Sequence, residues 1–162
     1  LSFEALFAQV YPALHRYCVR MASDPDLGED LAQEAFVRLL DHRVEGDPPQ
    51  LRAWLFKVAT HLMRERARVG ANRRRLLEQN PMDPGGTPTP EDEMDRREGI
   101  RMVREALGSL DERDRTLLLL REEGFSYQEL AEALEVKPTS VGTLLARARR
   151  RLAAALHQEE PE

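Results

Sequence analysis

Apolar residues recur at three- and four-residue steps through most of the chain, and nowhere do they alternate as in a strand. Phe3, Leu6, Phe7, Val10, Leu14, Tyr17, Cys18 and Met21 form one face of an amphipathic helix over about 3–21. Asp24-Pro25-Asp26 interrupts it, and Asp26 with Glu29 reads as a capping box opening a second helix. That helix is expected to turn Leu31, Ala35, Phe36, Leu39 and Leu40 inward. Residues 42–50, with Gly46 and Pro48-Pro49, read as a loop, and a third helix follows over about 51–69. The same grammar returns with a helix over about 94–108. Next comes a helix capped by Asp111, which carries the apolar run 117–120 and stops at Gly124. Ser126 and Glu129 form a capping box for a short helix, and Pro138 lies in the first turn of a longer last one. The expected fold is all-α.

Proline and glycine divide this run of helices. Residues 80–92, NPMDPGGTPTPED, hold four prolines and two adjacent glycines without apolar periodicity. Such a stretch buries too little surface to offset its ordering entropy and reads as a flexible linker. The expected organisation is two small helical domains, 1–79 and 94–157, with a linker over 80–93 and an acidic tail over 158–162.

Composition narrows the chemistry. Among 162 residues, 24 Lys+Arg stand against 29 Asp+Glu, a net charge of −5 that taken whole argues against a polyanionic partner. A single cysteine excludes an internal disulfide and a multi-cysteine zinc site, and the four histidines lack ligand-like spacing. No metal or cofactor is expected. Cys18 falls on the apolar face of the first helix and reads as a small buried hydrophobe. Asp111, Glu112 and Asp114 are the one cluster of carboxylates that an enzyme could use for metal, and they read better as first-turn acids; no enzyme is expected. No apolar run approaches the roughly 18 residues of a membrane span. The N-terminus lacks the basic and apolar regions of a secretory signal. The expected setting is the cytoplasm, without membrane insertion.

Charge by segment reverses the first impression. Residues 1–50 carry −5, 51–76 carry +7, 110–135 carry −5 and 136–157 carry +5. Phosphate binding depends on local charge, so the total does not forbid it. On the third helix, Lys57, His61, Arg64 and Arg68 fall within about 60° of one another, and Leu51, Leu55, Val58 and Leu62 form a separate apolar stripe. Trp54 lies near the border. A solvated face and a polyanion-binding face both fit. The lack of compensating acids and the Arg73-Arg74-Arg75 run favour nucleic acid. From Tyr127 to Leu144 the pattern fits a helix-turn-helix, with Leu130, Ala131 and Leu134 inward, Val136 in the turn, then Val141 and Leu144. Lys137, Thr139, Ser140, Thr143 and Arg147 are then the candidates to face DNA. A generic helical hairpin is the bland alternative.

These residues together resemble an extracytoplasmic-function sigma factor of the sigma-70 family, over nearly the whole chain. LGEDLAQEAFVRLL (27–40) resembles the segment that binds the clamp helices of core RNA polymerase. LRAWLFKVATHLMRERAR (51–68) resembles the helix that engages and opens the −10 element, and 110–152 resembles the domain that reads the −35 element. The resemblance implies a three-helix sigma-2-like domain and a helix-turn-helix sigma-4-like domain. Core polymerase and promoter DNA are the implied partners, with an anti-sigma factor as a family-level expectation. It implies polymerase contacts through Asp30, Gln33, Glu34, Val37 and Arg38. It assigns −10 contacts to Trp54, Lys57, His61, Arg64 and Arg68, with residues 42–50 as a base-trapping loop. Departures are His61 for the usual Asn, Glu65 for Asp, Glu135 for the usual turn glycine, and Gly142 and Leu144 for Lys and Arg. The competing reading is a free-standing helix-turn-helix regulator, which has no need of the N-terminal module.

Overall fold

The computed structural model describes residues 2–67 and 90–159. Arg68, the Arg73–75 run and linker positions 80–89 lie outside the described residues. Seven helices, and no strand, occur among the described residues: α1 Phe3–Ala22, α2 Pro25–Asp41, α3 Pro48–Ala67, α4 Pro90–Ser109, α5 Glu112–Glu122, α6 Tyr127–Leu134 and α7 Pro138–Glu159.

Helix starts explain the boundaries that periodicity misplaced. α2 is capped by Asp24, not Asp26: its carboxylate accepts from the Asp26 and Leu27 amides at 3.0 and 3.1 Å. Pro25 then takes the first helical position, where a missing N–H costs nothing. α3 starts three residues before the expected 51 for the same reason. Asp47 accepts from the Gln50 amide at 3.0 Å, and the Gln50 side chain accepts from the Asp47 amide at 2.9 Å. This reciprocal cap turns Pro48-Pro49 from breakers into a first turn. α4 likewise begins at Pro90, so positions 90–93, assigned to the linker by composition, belong to a helix.

α1, α2 and α3 pack pairwise into a three-helix unit, and α7 packs against α4, α5 and α6. In the first unit Leu14, Cys18, Leu31, Ala35, Leu55 and Ala59 are fully buried. Gly28 permits the close crossing of α1 and α2: a Cβ there would lie 2.7 Å from the Val19 backbone. Tyr17 and Thr60, both buried, satisfy each other at 2.7 Å, and Thr60 also donates to the Phe56 carbonyl. Burial pushes the Tyr17 phenol up and the Cys18 thiol up to about 12, so both stay neutral. Phe7 and Leu40 depart from the expected inward face, at 37% and 54% exposure.

The two units share one core. Phe56 on α3 meets Phe125, after α5, edge-on at 4.9 Å, and both rings are buried. Thr116 of α5 lies 3.8 Å from the Met21 sulfur of α1. α1 packs on α5 and α3 on α6.

Candidate nucleic-acid and partner interfaces

Three surfaces collect the residues singled out by sequence. The first is the outer stripe of α2. Asp30, Gln33 and Val37 are exposed, while Glu34 and Arg38 are half-buried and joined by an ion pair of 3.3 Å. Spacings of three and four residues place all five on one side of the helix. Leu40 extends the stripe, three residues beyond Val37, as a second exposed apolar side chain. Periodicity had placed it in the core because it sits at the border of a wide apolar face.

The second surface is formed by α6, its turn and α7. Both halves of the Ser126–Glu129 capping box are made, at 3.1 and 2.9 Å. Glu135 ends α6 in the left-handed conformation, φ 56°, where glycine would be the relaxed choice. The Val136 amide closes the turn onto the Ala131 carbonyl at 3.0 Å. Val141, Leu145 and Ala148 are buried, which leaves Lys137, Thr139, Thr143 and Arg147 exposed and Ser140 half-buried. Leu144 packs on the core, so a charged residue at that position would lose this packing. Gly142 faces α6: a Cβ there would lie 3.6 Å from the Tyr127 ring. Arg121 stacks over that ring at 5.1 Å and donates to the Phe125 carbonyl at 2.7 Å. Arg151, on the same basic helix, bonds the buried Asp114 at 2.6 Å. That bond holds its guanidinium firmly charged.

The third surface is α3, and it faces the second unit. The His61 Nε2 lies 3.3 Å from the Ala133 carbonyl, and Arg64 Nε lies 3.3 Å from Glu112. Trp54 and Lys57 are half-buried and line a cavity of about 370 Å³ with Pro49, Gln50, Phe125, Glu129 and Glu132. Arg68 lies outside the described residues. Of the expected base-trapping loop, residues 48–50 belong to α3.

Sequence reasoning missed Arg52 and Arg16. The Arg52 guanidinium sits 5.1 Å from the Phe56 ring and 4.3 Å from the Phe125 ring. It donates to the Glu123 carbonyl at 2.6 Å and pairs with the Glu123 carboxylate at 3.7 Å. Arg16 approaches the same carboxylate at 3.5 Å. The only signal in the sequence was charge complementarity between segments 51–76 and 110–135.

Of the three clustered carboxylates at the start of α5, Asp111 caps the helix, Glu112 meets Arg64 and Asp114 meets Arg151. No group of three or more His, Cys, Asp or Glu placed to hold a metal occurs among the described residues. No described helix is long and apolar enough to cross a membrane.

A helix-turn-helix with an exposed basic helix, joined to a three-helix unit, is an arrangement that suits a DNA-binding protein. Residues 6–74 match the family model for Sigma-70 region 2, and residues 100–152 match that for Sigma-70, region 4. Together these span about three quarters of the chain. The chain is 27% identical over 150 residues to the ferric citrate uptake sigma factor FecI of Escherichia coli K12, covering 91% of this chain and 87% of that one. It is 28% identical over 152 residues to the RNA polymerase sigma factor YlaC of Bacillus subtilis 168, covering 91% and 88%. It is 29% identical over 167 residues to the extracytoplasmic-function sigma factor SigE of Mycolicibacterium smegmatis, covering 99% and 64%. Among solved structures, the fold matches the sigma factor RpoE of Bartonella quintana, crystallised with the anti-sigma factor NepR. That match has a TM-score of 0.70 at 22% identity and covers 98% of both chains. The chain belongs to the sigma-70 family, with extracytoplasmic-function sigma factors among its relatives. It is an RNA polymerase sigma subunit, which binds core polymerase and promoter DNA in transcription initiation.

Proposed function

We propose that the two units divide promoter recognition between them. Residues 1–79 form the sigma-2-like domain. Its α2 stripe of Asp30, Gln33, Glu34, Val37 and Arg38 docks on the polymerase clamp helices. Trp54, Lys57, His61, Arg64 and Arg68 hold the non-template strand as the −10 duplex opens. Residues 94–157 form the sigma-4-like domain, and Lys137, Thr139, Ser140, Thr143 and Arg147 read the −35 element in the major groove. The chain supplies binding and strand positioning and leaves the chemistry to polymerase. It works in the cytoplasm, where core enzyme and promoter meet. By likeness to the crystallised relative, an anti-sigma protein is the third partner.

The observation that carries this division is the helix-turn-helix, closed by its capping box and left-handed turn, with four of its five candidate DNA contacts exposed. The test is run-off transcription with core polymerase and a promoter library. Initiation at a defined pair of elements is expected with the intact chain. Arg147→Ala should weaken selection at −35 alone, by about 1–3 kcal/mol if it contacts a base edge. Promoter-independent initiation in both cases would refute the assignment.

A further inference from the structure

We propose that Arg150 grips a backbone phosphate of the −35 duplex, at the rim of the groove whose bases the start of α7 meets. The inference rests on the −35 reading of α7 made above and adds to it a contact that carries no sequence information. At roughly 100° per residue, Arg150 falls within about 20° of both Thr139 and Thr143, so it continues their outward face. A rise of about 1.5 Å per residue puts it about 10 Å beyond Thr143 and about 16 Å beyond Thr139 along the helix axis. The major groove is about 12 Å wide. A helix that enters it by its N-terminus has left the bases over that distance and meets the sugar-phosphate chain.

The arginines at 149, 150 and 151 differ in what surrounds them. Arg149 and Arg151 leave the helix about 100° to either side of that outward face. Arg151 is already engaged: it bonds the buried Asp114 at 2.6 Å, which ties α7 to α5 and fixes the rotation of the helix. Arg150 is exposed and, among the described residues, has no hydrogen-bond or ion-pair partner. Residues 136–157 contain no acid to compete for it. Ala146, Ala153 and Ala154 surround it on the outer face, and all three are exposed. They stand one turn before and one turn after it, so nothing bulky holds the helix away from a phosphate. A guanidinium offers parallel N–H groups to two phosphate oxygens, which makes an unengaged arginine at this place a strong anchor.

The test measures binding of the full chain to duplex DNA by fluorescence anisotropy as salt is raised from about 50 to 200 mM. Two duplexes are used: one selected from the promoter library with core polymerase, and one of randomised sequence. The variants are R150Q, R150K and, as the same charge change on another face, R149Q. Glutamine and lysine are good helix formers at these exposed positions, so the fold is kept. R150Q should reduce the slope of log affinity against log salt by about 1 on both duplexes. The unmodified chain then loses about three- to fourfold more affinity than R150Q across that range. Preference between the two duplexes should change by less than about twofold, since a phosphate contact does not read bases. R150K should keep the slope, because lysine retains the charge, and R149Q should change it clearly less than R150Q does. An unchanged slope in R150Q, an equal fall in R149Q, or an altered preference between the duplexes overturns the inference. If no duplex is selected from the library, the functional assignment fails, while the slopes on the randomised duplex still decide the Arg150 contact.

Discussion

Gly142 offers a sharp test of how the recognition helix is built. It lies inside α7, four residues after Pro138, where glycine is less favourable than alanine by about 1 kcal/mol because its backbone loses more freedom. Two roles could retain it: room for another group within the fold, or close approach of the backbone to DNA. An added Cβ would meet only the Tyr127 ring, at 3.6 Å, an ordinary van der Waals separation. No steric cost therefore offsets the propensity gain, and the new methyl adds a contact. Gly142→Ala should stabilise the protein by about 1 kcal/mol, raising Tm by roughly 2–4 °C for a chain of this size. Because the methyl points at α6 and not at the outer face, duplex binding should be unchanged. Thermal denaturation followed by circular dichroism, with anisotropy on duplex DNA, checks both. An unchanged or lower Tm would refute the packing argument. A gain in Tm with a clear loss of duplex affinity would show that DNA approaches the backbone here.

Gly28→Ala should do the opposite, costing about 1–3 kcal/mol in urea unfolding, because its Cβ would lie 2.7 Å from Val19 backbone atoms and α1 and α2 would have to part. Tyr17→Phe removes one buried hydrogen bond but leaves Thr60 donating to the Phe56 carbonyl, so the loss should be only about 1 kcal/mol. The Cys18 thiol, raised by burial from 9.0 to about 12, binds its proton more tightly folded than unfolded. Stability should fall as pH rises above about 9, by at most about 1.4 kcal/mol per pH unit from this group. Tyr17 adds the same sign at higher pH, and Cys18→Ala should flatten the first part of the slope in pH-dependent urea titrations.

The local features of this fold were legible because their causes lie within a few residues. Ser126 and Glu129 announce their capping box, Asp111 its cap, and Glu135 occupies the turn position that requires a positive φ. The misplaced starts of α2 and α3 came from treating Asp24-Pro25 and Asp47-Pro48-Pro49 as interruptions. Proline after an acidic cap opens a helix as readily as it ends one. Phe7 and Leu40 were assigned inward because periodicity marks an apolar stripe without showing how much of it a neighbouring helix covers. The α3 contacts were illegible for a different reason. His61 and Arg52 find their partners 72 and 71 residues away, and no local pattern ties such positions together.

The charge segregation takes on a different meaning once those contacts are known. The segments 51–76 and 110–135, at +7 and −5, suggested that the basic part answers to DNA and the acidic part to polymerase and solvent. Glu112 and Glu123 instead belong to the basic segment's own environment. On the −10 assignment proposed for α3, DNA binding there is an exchange of one anionic partner for another at Arg64. Its favourable energy is the difference between two interactions of similar kind, so a small promoter segment gains little by itself. On the proposed −35 surface, Thr139, Thr143 and Arg147 are exposed among the described residues. On the proposed assignment, tethering through the −35 element and the clamp raises the local concentration of the −10 strand at α3, which offsets the cost of displacing Glu112 from Arg64.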